Sequence, residues 1–219
     1  MYSKLVAAMA VALLVPASLA DVVDRVWWNP RISQPGGTDP FMGQSTDESL
    51  AAAGLLTQVG LTRFGNSIGS ISFTNIPSTF SEDHYIEFSI IPGAGRALDV
   101  HDLILQAANN GAPMPLDRIV LRSETDGFTS DHAALPGPNS LQGNTGRPVL
   151  FDLESLPTLT DETTFRLYVW GINGPFGIAG SVATLGWGMW FADVDSNPVP
   201  MPASSLLLCA GALAVRRRR

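Results

Sequence analysis

The sequence predicts an all-β sandwich set between two apolar terminal segments that take no part in it. Three observations carry that expectation. Apolar and polar residues alternate in short runs, the clearest being His84 to Ile91 (H-Y-I-E-F-S-I-I), and a period of two buries one face of a strand. Turn formers punctuate the runs, with 21 glycines and 16 prolines in 219 residues. Helix-start chemistry occurs at a single stretch. Many short strands with little helix argue for two packed antiparallel sheets.

Taken in order, Asp21 to Trp28 reads as a strand closed by Asn29-Pro30, and Gln34 to Pro40 as loop. Ser45-Thr46-Asp47-Glu48 has the spacing of a capping box, so a helix is expected through Leu50 to Ala53. From Gly60 the pattern is β. Ile68, Ile71, Phe73 and Ile76 lie among Ser, Thr and Gly, and Pro77 stops that run. In the strand His84 to Ile91, Ile86, Phe88 and Ile90 face one way and Tyr85, Glu87 and Ser89 the other. Ala97 to Gln106 is the next strand, with Leu98 and Val100 on one parity and Leu103 and Leu105 on the other, which a bulge near Asp102 reconciles. Leu116 to Arg122, Val149 to Leu153, Phe165 to Trp170 and one or two strands within Val182 to Val194 complete the set. Asp126-Gly127 and Asn173-Gly174 mark turns, and Thr129 to Arg147 is Gly- and Pro-rich surface.

The two ends are read separately. Lys4, an apolar run from Leu5 to Val15, and small residues at Ser18 and Ala20 form a secretory signal peptide over residues 1–20, cleaved after Ala20. At the other end, Ala203 to Val215 is an uncharged apolar run of 13 residues, and Arg216, Arg217, Arg218 and Arg219 end the chain. As a helix the run rises roughly 20 Å, a short transmembrane span whose arginines snorkel to the inner headgroups. Pro198, Pro200 and Pro202 keep the upstream segment extended.

Residues 21–197 therefore form the domain, which holds all 20 acidic residues; five of the 13 basic ones, Lys4 and the tail arginines, lie outside it. Eight arginines remain, for a net charge of −12. So acidic a surface repels nucleic acid and anionic lipid, and favours cations or neutral glycans. The single cysteine, Cys209, lies in the tail, which excludes disulfides and cysteine-built zinc sites from the domain.

The tail resembles the PEP-CTERM sorting signal of exosortase-bearing Gram-negative bacteria. In Val199-Pro200-Met201-Pro202 the two prolines match that motif, and Met201 stands where the family carries Glu. Residues 198–219 would then be a sorting signal of proline motif, short transmembrane helix and arginine cluster. The resemblance implies passage through the Sec translocon and signal peptidase, and an inner-membrane-anchored precursor. An exosortase-like transpeptidase would then deliver the domain to the cell surface, or to the extracellular matrix of a biofilm. Tyr85-Ile86-Glu87-Phe88, Ser123 to Phe128 (S-E-T-D-G-F) and Phe165-Arg166-Leu167-Tyr168 with Trp170-Gly171 are similar to the β-sandwich ectodomain common in that family. The similarity runs from about Ile68 to Asp195, closing on Asp193-Val194-Asp195 where the family has Asp-Asn-Val. It implies a jelly-roll-like sandwich of the kind seen in carbohydrate-binding modules.

Each catalytic motif has a plainer reading beside it. Gly65-Asn66-Ser67-Ile68-Gly69 fits G-x-S-x-G, and Asp99 and His132 come later in triad order, but the run after Ser67 is β-like where a nucleophile elbow needs a helix. His84, His101 and His132 lack metal-pair spacing. Glu82 with Asp83, or Asp152 with Glu154, supply the residue types of a glycosidase, whose defining feature is a separation in space. Glu124, Asp126 and Asp131, together with Asp193 and Asp195, offer carboxylates for structural calcium; no cofactor is otherwise expected. Trp27, Trp28, Trp187 and Trp190 are the candidate sugar-stacking rings, since each pair divides between the two faces of a strand. The expectation is a non-enzymatic glycan-binding, partner-binding or structural module. Its rival is an extracellular hydrolase, either an esterase using Ser67 or a glycosidase.

Overall fold

The computed structural model describes residues 21–28, 41–64, 70–108, 115–137, 147–179 and 188–199. The chain runs through β1 (Asp21–Trp28), β2 (Phe41–Met42), β3 (Gln44–Ser45), β4 (Ala51–Ala53), β5 (Leu55–Val59), β6 (Thr62–Phe64) and β7 (Ser70–Thr74). Next are β8 (Tyr85–Pro92), β9 (Arg96–Asp99), β10 (Asp102–Ala108), β11 (Ile119–Ser123), β12 (His132–Ala133) and β13 (Leu135–Pro136). Last come β14 (Arg147–Asp152), β15 (Thr163–Val169), β16 (Phe176–Ala179) and β17 (Met189–Pro198). Among the described residues there is no α-helix, only 3₁₀ turns at Leu116–Arg118 and Glu124–Asp126.

The strands form two antiparallel sheets. The first has ten strands, ordered β3-β1-β17-β10-β16-β7-β6, with β14 on β10, β13 on β14 and β9 on β17. The second has seven, ordered β12-β11-β15-β8-β5-β2, with β4 also on β8. Their inner faces meet over one aromatic core. Trp28 of β1 stands edge-on to Phe88 of β8 at 5.0 Å, and Phe165 of β15 lies 5.1 Å from Phe191 of β17. Trp28 is fully buried and its indole N–H needs an acceptor, which the Gly54 carbonyl supplies at 2.9 Å. Small residues are required around it, because a Cβ at Gly43 would fall 2.8 Å from Trp28 Nε1 and 2.1 Å from the Ala53 methyl.

The expected helix at Ser45 to Ala53 is not formed. Ser45 pairs with Val26 in the first sheet, and Ala51 to Ala53 pair with β8 in the second. The capping chemistry builds a single turn in its place. Asp47 accepts from the Ser49 amide at 2.9 Å and hydroxyl at 2.6 Å, and its carbonyl accepts from the Ala51 amide at 3.1 Å. A buried ladder on β8 then captures the alanines, and tertiary pairing overrides their helix propensity.

The bulge expected near Asp102 is also absent. Asp99 pairs with Asp195 and Asp102 with Ala192, so β17 runs past both β9 and β10 in one unbroken register. No pairing with β17 is made at Val100 and His101, and Leu98 and Leu103 are both fully buried without an extra residue between them. A bulge does occur elsewhere. Ala53 pairs with Ile90 and Thr57 with Glu87, leaving three residues of one strand opposite two of β8. Gly54 sits in it, its N–H bonded to the Ser89 carbonyl at 2.8 Å.

β17 extends to Pro198, so the boundary expected at Asn197 falls inside the last strand. The Val199 amide continues the contact, donating to the Gly95 carbonyl at 2.9 Å. Ser18 and Ala20 of the expected signal peptide, and Pro200, Met201, Pro202 and Arg216 to Arg219 of the tail, lie outside the described residues, among which no helix is long and apolar enough to cross a membrane.

Candidate functional site

The outer face of the second sheet is built by the strand parities that leave the core. Ile86, Phe88 and Ile90 of β8 and Phe165, Leu167 and Val169 of β15 point inward, so Tyr85, Glu87 and Ser89 and Thr164, Arg166 and Tyr168 point out. Pairing then aligns Thr57, Glu87, Arg166 and Arg122 in one row across β5, β8, β15 and β11. Two arginines stand directly opposite each other there. Like charges in that relation destabilise a sheet, and the eight arginines of an acidic domain need not have met this way.

Carboxylates and rings hold the pair. Arg166 Nε donates to Glu87 at 2.9 Å, and its guanidinium lies over two rings, 3.9 Å from the centre of Phe128 and 4.4 Å from that of Tyr85. Arg122 Nε donates to Asp131, and its Nη1 to the Phe128 carbonyl at 3.1 Å and Glu82 at 3.3 Å. Its guanidinium lies 4.7 Å from the Phe80 ring centre and 5.3 Å from that of Tyr168. Burial acts to lower both arginine pKa values, but the carboxylates outweigh it and both are raised, so both remain cations. Burial raises the Tyr168 phenol. The two cations and the carboxylates of Glu82, Glu87 and Asp131 leave a local charge of −1.

A rigid loop places Phe128. After the turn at Glu124–Asp126, Gly127 donates to the Glu124 carbonyl at 3.0 Å and Phe128 to the Ser123 carbonyl at 2.9 Å. Both residues are left-handed, with φ of 72° and 61°. That conformation costs a side-chain-bearing residue about 1–3 kcal/mol and persists only where its surroundings enforce it. Asp126 does the enforcing. Its carboxylate accepts from the Thr129 amide at 3.1 Å and the Ser130 amide at 2.8 Å, and hydrogen bonding led by Ser130 lowers its pKa to about 2.

Two clefts open on this face. One, of about 370 Å³, is lined by Glu82, Arg122, Phe128, Thr129, Arg166 and Tyr168. The other, of about 230 Å³, lies over the bulge, lined by Leu55, Thr57, Glu87, Ser89, Glu162 and Thr164. Ser89 donates its hydroxyl to Glu162 there at 2.6 Å. Guanidinium donors, carboxylate acceptors, hydroxyls and ring edges together suit the hydrogen bonding of a polyhydroxylated ligand.

Most residues singled out by sequence stand away from these clefts. Trp28 is fully buried and Trp190 is 3% exposed, so neither presents a ring to a sugar, which corrects that expectation; their bulk is used in the core. Trp27 is half-buried opposite Trp190, and Trp187 lies outside the described residues. Asp126 is committed to its loop, Asp131 to Arg122, and Asp195 to His101 Nε2 at 3.2 Å, while Glu124 is exposed at the turn. The side chain of Asp193 is not among those described. Among the described residues no three His, Cys, Asp or Glu side chains converge on a metal position.

Ser67 is likewise outside the described residues. Asp99 on β9 of the first sheet accepts from Thr158 at 2.6 Å and Asn197 at 2.9 Å, whereas His132 belongs to β12 of the second. Asp152 caps the Glu154 amide at 3.0 Å, and Glu82 pairs with Arg122. Sequence reasoning missed Arg122, Arg166, Phe128 and Glu162 as members of a site. The first two were accessible through strand parity; Phe128 and Glu162 depend on loop geometry and long-range contact. No family model, curated protein or solved structure matches the chain.

Proposed function

We propose that the chain is an exported cell-surface or extracellular-matrix protein whose sandwich, jelly-roll-like in kind, binds glycan on the outer face of the second sheet without catalysing a reaction. The observation that carries this reading is the paired Arg122 and Arg166, held among rings and carboxylates at a cleft of about 370 Å³. Export rests on the signal-peptide pattern around Ser18 and Ala20. Delivery rests on the PEP-CTERM-like tail, with an exosortase-like transpeptidase acting at Pro200 to Pro202 on an inner-membrane precursor.

The test is retention of the full-length protein, in a detergent without a sugar headgroup, on a panel of immobilised neutral and acidic polysaccharides. Retention of the wild type, with at least tenfold weaker retention of Arg166→Ala, is expected. Equal retention of both would place binding elsewhere. Ester or glycoside hydrolysis abolished by Ser67→Ala or by loss of a carboxylate would establish the rival hydrolase.

A further inference from the structure

We propose that the two clefts form a single track, taking the interior of a neutral, hydroxyl-rich polymer chain that lies across the strands. The inference rests on the glycan-binding reading and specifies its ligand. The clefts share a joint: Glu87 lines the smaller, Arg166 the larger, and the two side chains are bonded at 2.9 Å. Thr57, Glu87, Arg166 and Arg122 mark the row in register. With neighbouring strands about 4.8 Å apart, four strands span roughly 14 Å, more than one sugar ring occupies.

Each end of the track has its own structural device. At the smaller cleft the bulge at Gly54 brings the backbone against Ser89, where a Cβ would fall 2.0 Å from the Ser89 hydroxyl. At the larger cleft the left-handed Phe128 forms the wall. The chemistry changes from one end of the track to the other. Glu162 and Glu87 accept hydroxyl protons at one end, and Arg166 and Arg122 donate to hydroxyl oxygens at the other. A polyanion would meet Glu82, Glu87, Asp131 and Glu162 within a domain of net charge −12, which selects a neutral ligand.

The experiment titrates full-length protein with neutral gluco-, xylo- and manno-oligosaccharides of two to six units, and with oligouronates as the acidic comparison. The track predicts affinity at least tenfold higher for a pentasaccharide than for the disaccharide of a retained series. Raising salt from 50 to 500 mM should change it less than twofold, because no ion pair with the ligand is screened. Glu162→Gln, an exposed and nearly isosteric change, and Thr57→Trp should each pull the pentasaccharide-to-disaccharide ratio toward one. Length-independent affinity, or a ratio untouched by both variants, would overturn the track while leaving glycan binding intact. Preference for oligouronates would overturn neutrality. Retention of no glycan would overturn the track together with the function it rests on.

Discussion

Asp126 and Phe128 show how one side chain governs another at a distance. Phe128 is held over Arg166 in a backbone conformation it would not choose, and the Asp126 carboxylate bonded to Thr129 and Ser130 holds it there. The folded pKa of Asp126 is depressed to about 2 from the ordinary 3.8. Its contribution is therefore present above about pH 4 and lost as the pH falls through 2. Measured against the intrinsic exchange rate at each pH, protection of the Ser130 and Thr129 amides should fall across that window while amides of β8 and β15 stay protected; a uniform fall would show that the loop does not open on its own. Phe128→Gly should relieve the backbone cost yet weaken ligand binding, separating stability from function in one substitution. In the core, Trp28→Phe removes the indole donor from the Gly54 carbonyl, which keeps the Gly43 amide at 3.3 Å, and leaves part of the indole's buried space unfilled. A loss of about 1–3 kcal/mol is expected by denaturant titration.

Elements were legible where alternation alone decides them. His84 to Ile91 and Phe165 to Trp170 read as strands and form β8 (Tyr85–Pro92) and β15 (Thr163–Val169), and the parity of the first set Glu87 on the face opposite Phe88; the same parity, not applied to Phe165 to Trp170, places Arg166 there too. The helix at Ser45 failed for a definite reason. Ser and Asp cap a turn with the same hydrogen bonds that begin a helix, and β8, about forty residues downstream, decides how the chain continues. Ser45→Ala should consequently leave helical circular dichroism unchanged, since there is no helix for it to cap. The bulge was illegible because its cause is register against a distant strand. Gly54→Ala, which drives a Cβ to 2.0 Å from Ser89 Oγ, should destabilise by about 1–3 kcal/mol. Ser89→Gly added to it should restore most of the loss, a coupling readable in a double-mutant cycle.

At the scale of the molecule, the last strand and the tail abut. β17 runs to Pro198 and Val199 bonds to Gly95, so the folded sheet reaches the residue before the proline motif. A chain ending at Val199 should stay folded and, on the proposed localisation, lose membrane association, whereas one ending at Asn197 should be measurably less stable, because it severs the Pro198 to Arg96 pairing. The charge of the domain was legible from composition, and it favoured cations or neutral glycans without choosing between them. The proposed binding face was not, because it is assembled from β5, β8, β11 and β15 and a loop that sequence distance separates. Which face binds is the central claim. Hydrogen–deuterium exchange of the full-length protein, with and without a retained neutral oligosaccharide, tests it most directly. Added protection confined to residues 55–57, 85–89, 122–130 and 162–168 is expected. Protection on the first sheet around Trp27, with none at Phe128 or Arg166, would contradict it.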